Sequence, residues 1–366
     1  MKTYIHRGVI GTNGIVDTTR SISDSSALRV LPSDDRFHLD NTEVGNFEWW
    51  YFDILESGKN IVLKIVAHLG TDPLRRTFFP QLAIALKTQS TRKAFSKRYL
   101  LSDLYASRSA CDIRLKDEFH LSHESSDHEN RYLLSIDLDE FKGSFTFISQ
   151  IEGWKPLGNE IHLTKGRRKA AFSWIIPVPQ ALVAGKFACS SAEYTLKEAS
   201  GYHDHNYWRV GNKDKLFMDD VVSKWYWGRI SADDYAAIFM ETYLKERSVR
   251  SFMLAKKNAI IHSSNDLIEI SVGKFRKDEE IKASYPSEIA IRSAEEKIPF
   301  HVILKAKELI DRRDLLEGVN PLLKWLIKHL VSRPAYFGIL ADATVTIAGA
   351  KMKGIATYES MLFRNG

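Results

Sequence analysis

The sequence predicts a mainly β protein built as two antiparallel β-barrels, and three observations carry that prediction. Short segments that alternate apolar and polar residues follow one another along most of the chain. Turn signals such as Glu56-Ser57-Gly58-Lys59 and Phe141-Lys142-Gly143 separate them. No helix of βαβ size lies between consecutive segments, so a parallel sheet is excluded and a curling meander remains.

Residues 1–40 are polar, rich in Ser, Asp and Thr, and read as an irregular arm. A first domain, 41–212, contains the strand-like runs 47–55, 60–69, 81–88, 119–124, 132–138 and 143–151. The stretch 172–187, FSWIIPVPQALVAGKF, reads as a linking region, because Pro177, Pro179 and Gly185 argue against a regular central strand. The polar run 211–215 marks the boundary. A second domain, 213–366, resumes the pattern at 225–230, 235–243, 251–257, 267–273, 289–293 and 301–307, and ends on β-type segments. From 305 to 332 the spacing turns helical: Leu322, Leu323, Leu326, Ile327 and Leu330 recur on one face after Pro321. This predicts a short helical segment packed on the second barrel; the sharper alternative is peripheral membrane contact.

Composition narrows the function. The 366 residues carry a formal charge of +6, spread along the chain without an Arg-rich arm, which argues against nucleic acid as a partner. Two cysteines, Cys111 and Cys189, lack metal-site spacing and do not make a disulfide scaffold. No secretory signal or membrane span is legible, so a cytoplasmic protein is expected. Walker loops, dinucleotide fingerprints, nucleophile elbows and zinc-protease helices are missing from the sequence, which points to chemistry without a cofactor. The 19 Phe, 14 Tyr and 8 Trp suit a pocket for a hydrophobic small molecule.

Two motifs carry the candidate acid–base chemistry, and a third, Trp225-Tyr226-Trp227-Gly228-Arg229, adds aromatic residues. In Glu48-Trp49-Trp50-Tyr51-Phe52-Asp53, strand geometry sets Glu48, Trp50 and Phe52 on one face and Trp49, Tyr51 and Asp53 on the other. In Tyr202-His203-Asp204-His205-Asn206, the two histidines share a face while Tyr202, Asp204 and Asn206 share the opposite one. Asp204 reads as a general acid aided by His203 and His205, with Glu48 as a second candidate. The histidine pair has no evident third ligand, so no metal is expected. Trp49, Trp50, Tyr51, Tyr202, Asn206, Trp225 and Trp227 are the expected substrate-binding wall, where aromatic faces could stabilise a carbocation. For each motif the structural alternative is core filling or a strand-tying polar cluster.

Together, EWWYFD, FSWIIPVPQALVAGKF, GYHDHNYW, WYWGR and GIATYE resemble, in this order, the carotenoid 1,2-hydratase (hydroxyneurosporene synthase) and AttH-like family, with kievitone hydratase and fungal lipocalin-like Diels–Alderases as relatives. The resemblance implies two lipocalin-like barrels with a pocket at or between them. It implies cofactor-free hydration or cyclisation, proton-initiated or by cycloaddition, of a polyene or isoprenoid-type substrate in biosynthesis. It also points to the 202–206 segment for the acid. Trp208-Arg209-Val210 departs from the pattern, since relatives carry a glycine soon after the asparagine. A carrier that binds a hydrophobic metabolite without transforming it is the alternative.

Overall fold

The computed structural model describes residues 29–71, 77–126, 129–156, 160–211, 213–244, 247–265, 268–293, 299–316 and 334–363. The chain divides into two units, one running through Leu216 and one beginning at Phe217. Each is one curled antiparallel sheet around its own apolar core.

The first sheet uses β1 (Phe47–Glu56), β2 (Ile61–Thr71), β3 (Phe78–Lys87), β4 (Arg92–Arg98), β5 (Leu104–Ala106), β6 (Asp112–Leu115), β7 (Phe119–Ser125), β8 (Asn130–Asp137), β9 (Phe141–Ser149), β10 (Ile161–Lys165), β11 (Arg168–Cys189) and β12 (Ala192–Val210). Its order is β4-β3-β2-β1-β12-β11-β9-β8-β7-β6-β5, with β10 paired to β11. Neighbours in space are thus mostly neighbours in sequence. The long-range joint is β1 against β12, and it brings two of the candidate motifs side by side. Alternation decides which side chains enter the core: Trp50, Phe52 and Ile54 of β1 pack with Leu63 and Ile65 of β2, Tyr132 of β8 and Phe147 of β9.

The second sheet follows a four-residue helix, α1 (Met218–Val221). It uses β13 (Val222–Ala232), β14 (Tyr235–Leu244), β15 (Ser248–Lys256), β16 (Ala259–Asn265), β17 (Ile268–Lys277), β18 (Ser284–Ser293), β19 (Phe300–Asp314), β20 (Ala335–Ile347) and β21 (Ala350–Leu362), in the order β16-β15-β14-β13-β21-β20-β19-β18-β17. Tyr226, Phe252, Phe337 and Tyr358 fill its core.

Two expectations need correction. The stretch 172–187 is not a linker but the middle of β11, a strand of 22 residues. Its register shifts between Ile175 and Val178, between Val178 and Ala181, and between Val183 and Gly185. Pro177, Pro179 and Gly185 sit at those irregularities, where a missing N–H or a missing side chain is tolerated. The expected helix over 305–332 also fails in its first part: Lys305 to Asp314 belong to β19, paired with β20. The remainder, from 317, lies outside the described residues. Among the described residues no helix is long and apolar enough to cross a membrane.

Candidate functional site: a buried imidazole–carboxylate network beside a charged cavity

The end of the N-terminal arm, read as irregular, builds half of the site. Pro32 opens a single 3-10 turn, Pro32–Asp35. The Asp34 carboxylate accepts the Leu31 N–H at 2.7 Å and closes the turn. Asp35 is thereby carried fully out of solvent. Trp50 Nε1 donates to the Asp35 carbonyl at 3.3 Å and ties the turn to β1. The chain then passes over β1, so that the backbone N–H groups of His38 and Leu39 both point at Glu48.

Pairing of β1 with β12 sets Trp50 opposite His205 and Phe52 opposite His203. Glu48, Trp50, Phe52, His203, His205 and Tyr207 therefore share the inner face. His205 stands between two carboxylates: Nε2 is 2.8 Å from Glu48 Oε1, and Nδ1 is 2.9 Å from Asp35 Oδ1. The first is a hydrogen bond; in the second the N–H is not aligned with the oxygen, so it is a charge contact. His203 donates from Nδ1 to the Tyr51 carbonyl at 3.0 Å, because a carbonyl can only accept. Its Nε2 meets Asp35 Oδ2 at 3.0 Å. Phe52 stacks on His203 at 3.9 Å between centroids and Trp50 stacks on His205 at 4.5 Å.

Charge follows from these contacts. Burial opposes an imidazolium at His205, but the close contacts and negative charges of Asp35 and Glu48 outweigh it and push the ring up to about 9. Burial would raise both acids. The His203 and His205 rings hold Asp35 well below the usual carboxylate range, and His205 and His38 lower Glu48. Burial lowers His38, with the charges of His205 and Arg36 acting in the same direction against the Glu48 hydrogen bond. Burial, followed by the Asp35 charge, pushes the Cys111 thiol and the Tyr132 phenol up, so neither is an ionised nucleophile.

His38 is where the network meets solvent. Its Nδ1 lies 3.3 Å from Glu48 Oε1, its ring stacks on Tyr207 at 4.3 Å, and its side chain is 10% exposed. Together with Tyr207 it lines a cavity of about 470 Å³. The expected aromatic wall is not what surrounds this cavity. Arg36, Arg108, Lys155 and Arg209 alternate with Asp34, Asp40 and Glu160, and Phe37, Ile175 and Tyr207 supply the apolar surface.

The predicted residues separate into two groups. Glu48, Trp50, His203 and His205 meet on the inner face. Trp49, Tyr51, Tyr202, Asp204 and Asn206 lie on the opposite face of the same strands. Asp204 is therefore not aided by its sequence neighbours His203 and His205, which point away from it through the sheet. Its carboxylate instead accepts from Trp174 Nε1 at 3.1 Å, the Tyr202 hydroxyl at 2.9 Å and Asn206 Nδ2 at 2.9 Å. Trp225 and Trp227 lie on β13 of the other unit, opposite in face to core residue Tyr226. None of Trp49, Trp50, Trp225 and Trp227 lines the cavity beside His38. Sequence reasoning missed Asp35 and His38; the signal available was Phe37-His38-Leu39, an alternating triplet inside an otherwise polar arm.

The expectation of no third ligand for the histidines is also corrected. Asp35, Cys111 and His203, and separately His38, Glu48 and His205, bring ligand-type atoms within 4.8 Å of one another. Either triplet could hold a metal ion. Hydrogen bonding and charge contacts within the network already engage the imidazoles and carboxylates without one.

No protein-family model and no curated protein matches the chain. Among solved structures, CghA with Sch210972 is similar at a TM-score of 0.60 and 12% identity, covering 93% of this chain and 98% of that one. A putative AttH from Nitrosomonas europaea gives 0.60 and 14%, covering 91% and 96%. Kievitone hydratase from Nectria haematococca gives 0.56 and 10%, covering 91% and 93%. The chain thus has the two-domain lipocalin-like fold of these proteins, in line with the sequence motifs. At such identities the likeness defines the class of fold.

Proposed function

We propose that this protein is a non-redox enzyme of the hydration or cyclisation type, in which His38 is the general base and Glu48 orients it. The observation that carries this reading is the contact of His38 Nδ1 with the buried Glu48 carboxylate at the wall of the cavity. A carboxylate accepts, so the proton sits on Nδ1 and leaves the Nε2 lone pair to take a proton from a bound molecule. Burial keeps His38 neutral at pH 7, as a base requires. In a hydration, Nε2 removes a proton from water as its oxygen attacks an activated alkene, and the imidazolium returns the proton to the adjacent carbon. In a cyclisation, the same atom takes and returns a proton of the substrate. The buried His205 imidazolium behind Glu48 holds that carboxylate ionised throughout. A fold shared with a protein named as a hydratase supports the class. The expected polyene or isoprenoid body would rest on Phe37, Ile175 and Tyr207.

The test is incubation with small-molecule extracts in ¹⁸O-water, followed by mass spectrometry. The expected product gains one labelled water or is an isomer of its substrate. His38→Gln should slow turnover by about two to four orders of magnitude while the fold is retained. Turnover that survives His38→Gln but is lost in Asp204→Asn would overturn the assignment and move the acid–base role to the opposite face. Tight binding without turnover by the wild type would make the protein a carrier.

A further inference from the structure

We propose that the cavity takes small organic acids as monoanions, with the ligand carboxylate paired to Arg36 next to His38. This deepens the acid–base reading and rests on it for the site's identity. The charge pattern of the wall carries the argument. Among the described residues, four cations and three carboxylates line the cavity, and each of these carboxylates has a cationic partner. Lys155 Nζ is 3.0 Å from Asp34. Arg209 pairs with Glu160 and reaches Asp40 at 3.3 Å. Arg108 approaches Asp40 only at 3.6 Å, donates to the Leu39 carbonyl at 2.8 Å and lies over the Phe37 ring.

Arg36 is the cation left over. Among the described residues no carboxylate lies within ion-pair distance of it, and its Nη1 donates to the Ser33 carbonyl at 2.7 Å. It is half-buried in the cavity wall, two residues from His38, whose titration feels its charge. A partly desolvated guanidinium without a counter-charge gains from a planar anion that can accept two parallel N–H bonds. The single surplus positive charge among the described lining residues suits a carboxylate better than a phosphate dianion, which would sit against Glu160 and Asp40 with one charge uncompensated. The volume, about 470 Å³, suits a ligand of ordinary metabolite size.

Calorimetric titration of the full chain with sorbate, trans-cinnamate and decanoate, each against its methyl ester, tests this. At least one acid should bind with a Kd below about 1 mM and at least about tenfold more tightly than its ester, a preference that fades with added salt. Arg36→Gln should erase the preference, Arg36→Lys should keep part of it, and His38→Gln should leave it in place. Circular-dichroism melting of each variant checks that it is folded. Esters that bind as well as acids, an intact preference in folded Arg36→Gln, or no acid binding below about 1 mM would each overturn the proposal. Acid binding through Arg36 with turnover indifferent to His38→Gln would instead leave this inference standing and remove the acid–base reading.

Discussion

His205 is the residue on which the charge of the buried network turns. Its folded value, about 9, lies above the 6.5 of an ordinary histidine. The stability it contributes is therefore complete below about pH 6.5 and is lost as pH rises through about 9. Asp35 and Glu48 are lowered, so their contributions hold above the ordinary carboxylate range and are lost as pH falls through their folded values. The melting temperature should accordingly decline as pH rises from about 6.5 toward 9; below about 6.5 the lowered His38 acts in the opposite sense, so the melting temperature also falls on acidification. His205→Gln should remove that alkaline decline and cost about 3–5 kcal/mol, because two buried carboxylates lose their shared counter-charge. Thermal melts across pH check this, and an unchanged alkaline slope in the variant would contradict it. The face assignments of these residues were legible from alternation alone. What alternation does not give is the partner: Asp35 and His38 come from a polar arm whose one alternating triplet, Phe37-His38-Leu39, does not say what it meets, and the Pro32 turn, Trp50, the two imidazoles and the Glu48 carboxylate draw them inward.

At the scale of elements, most strands announced themselves where one face is wet and the other buried, as in β8. Among those missed, β5 is short, β4 has no buried face, and the buried positions of β16 are the polar His262 and Ser264. The stretch 172–187 misled for a local reason: Pro177, Pro179 and Gly185 do break the ladder, but through register shifts that leave the strand running. Gly185 has a steric duty at its shift. A Cβ there would stand 2.4 Å from the Ser144 carbonyl oxygen of β9 and 2.9 Å from the Phe145 ring. Backbone cannot yield cheaply, so Gly185→Ala should destabilise by about 1–3 kcal/mol, measured by denaturant titration. Gly166 makes the contrast: at φ +62° in the β10–β11 turn, it has open space around it. Gly166→Asn, a residue that tolerates the left-handed region, should cost less than Gly185→Ala.

At the scale of the whole molecule, two sheets carry two separate cores, while the described residues of the network and its cavity belong to the unit that ends at Leu216. Truncating Phe337, fully buried in the second core, should cost about 3–5 kcal/mol and lower the melting temperature. At temperatures where Phe337→Ala is folded, the alkaline titration of His205 should stay where it is in the wild type. A shifted titration would show that the site depends on residues of the second core. The fold was legible as a class from periodicity and turn chemistry, and the ordered motifs narrowed it further. The site was legible only in part, because apart from Arg209 on β12 the charged residues of its cavity wall come singly from the arm, the β5–β6 bend and the approach to β10, none of which forms a motif. The central claim, that Glu48 fixes His38 as a neutral base with Nε2 open to the cavity, is tested most directly by ¹⁵N imidazole NMR of the histidine-labelled protein at pH 7, with His38 assigned through His38→Gln. The expected spectrum shows a neutral His38 ring protonated on Nδ1 beside a doubly protonated His205. A His38 ring that carries its proton on Nε2, or on both nitrogens, would contradict it.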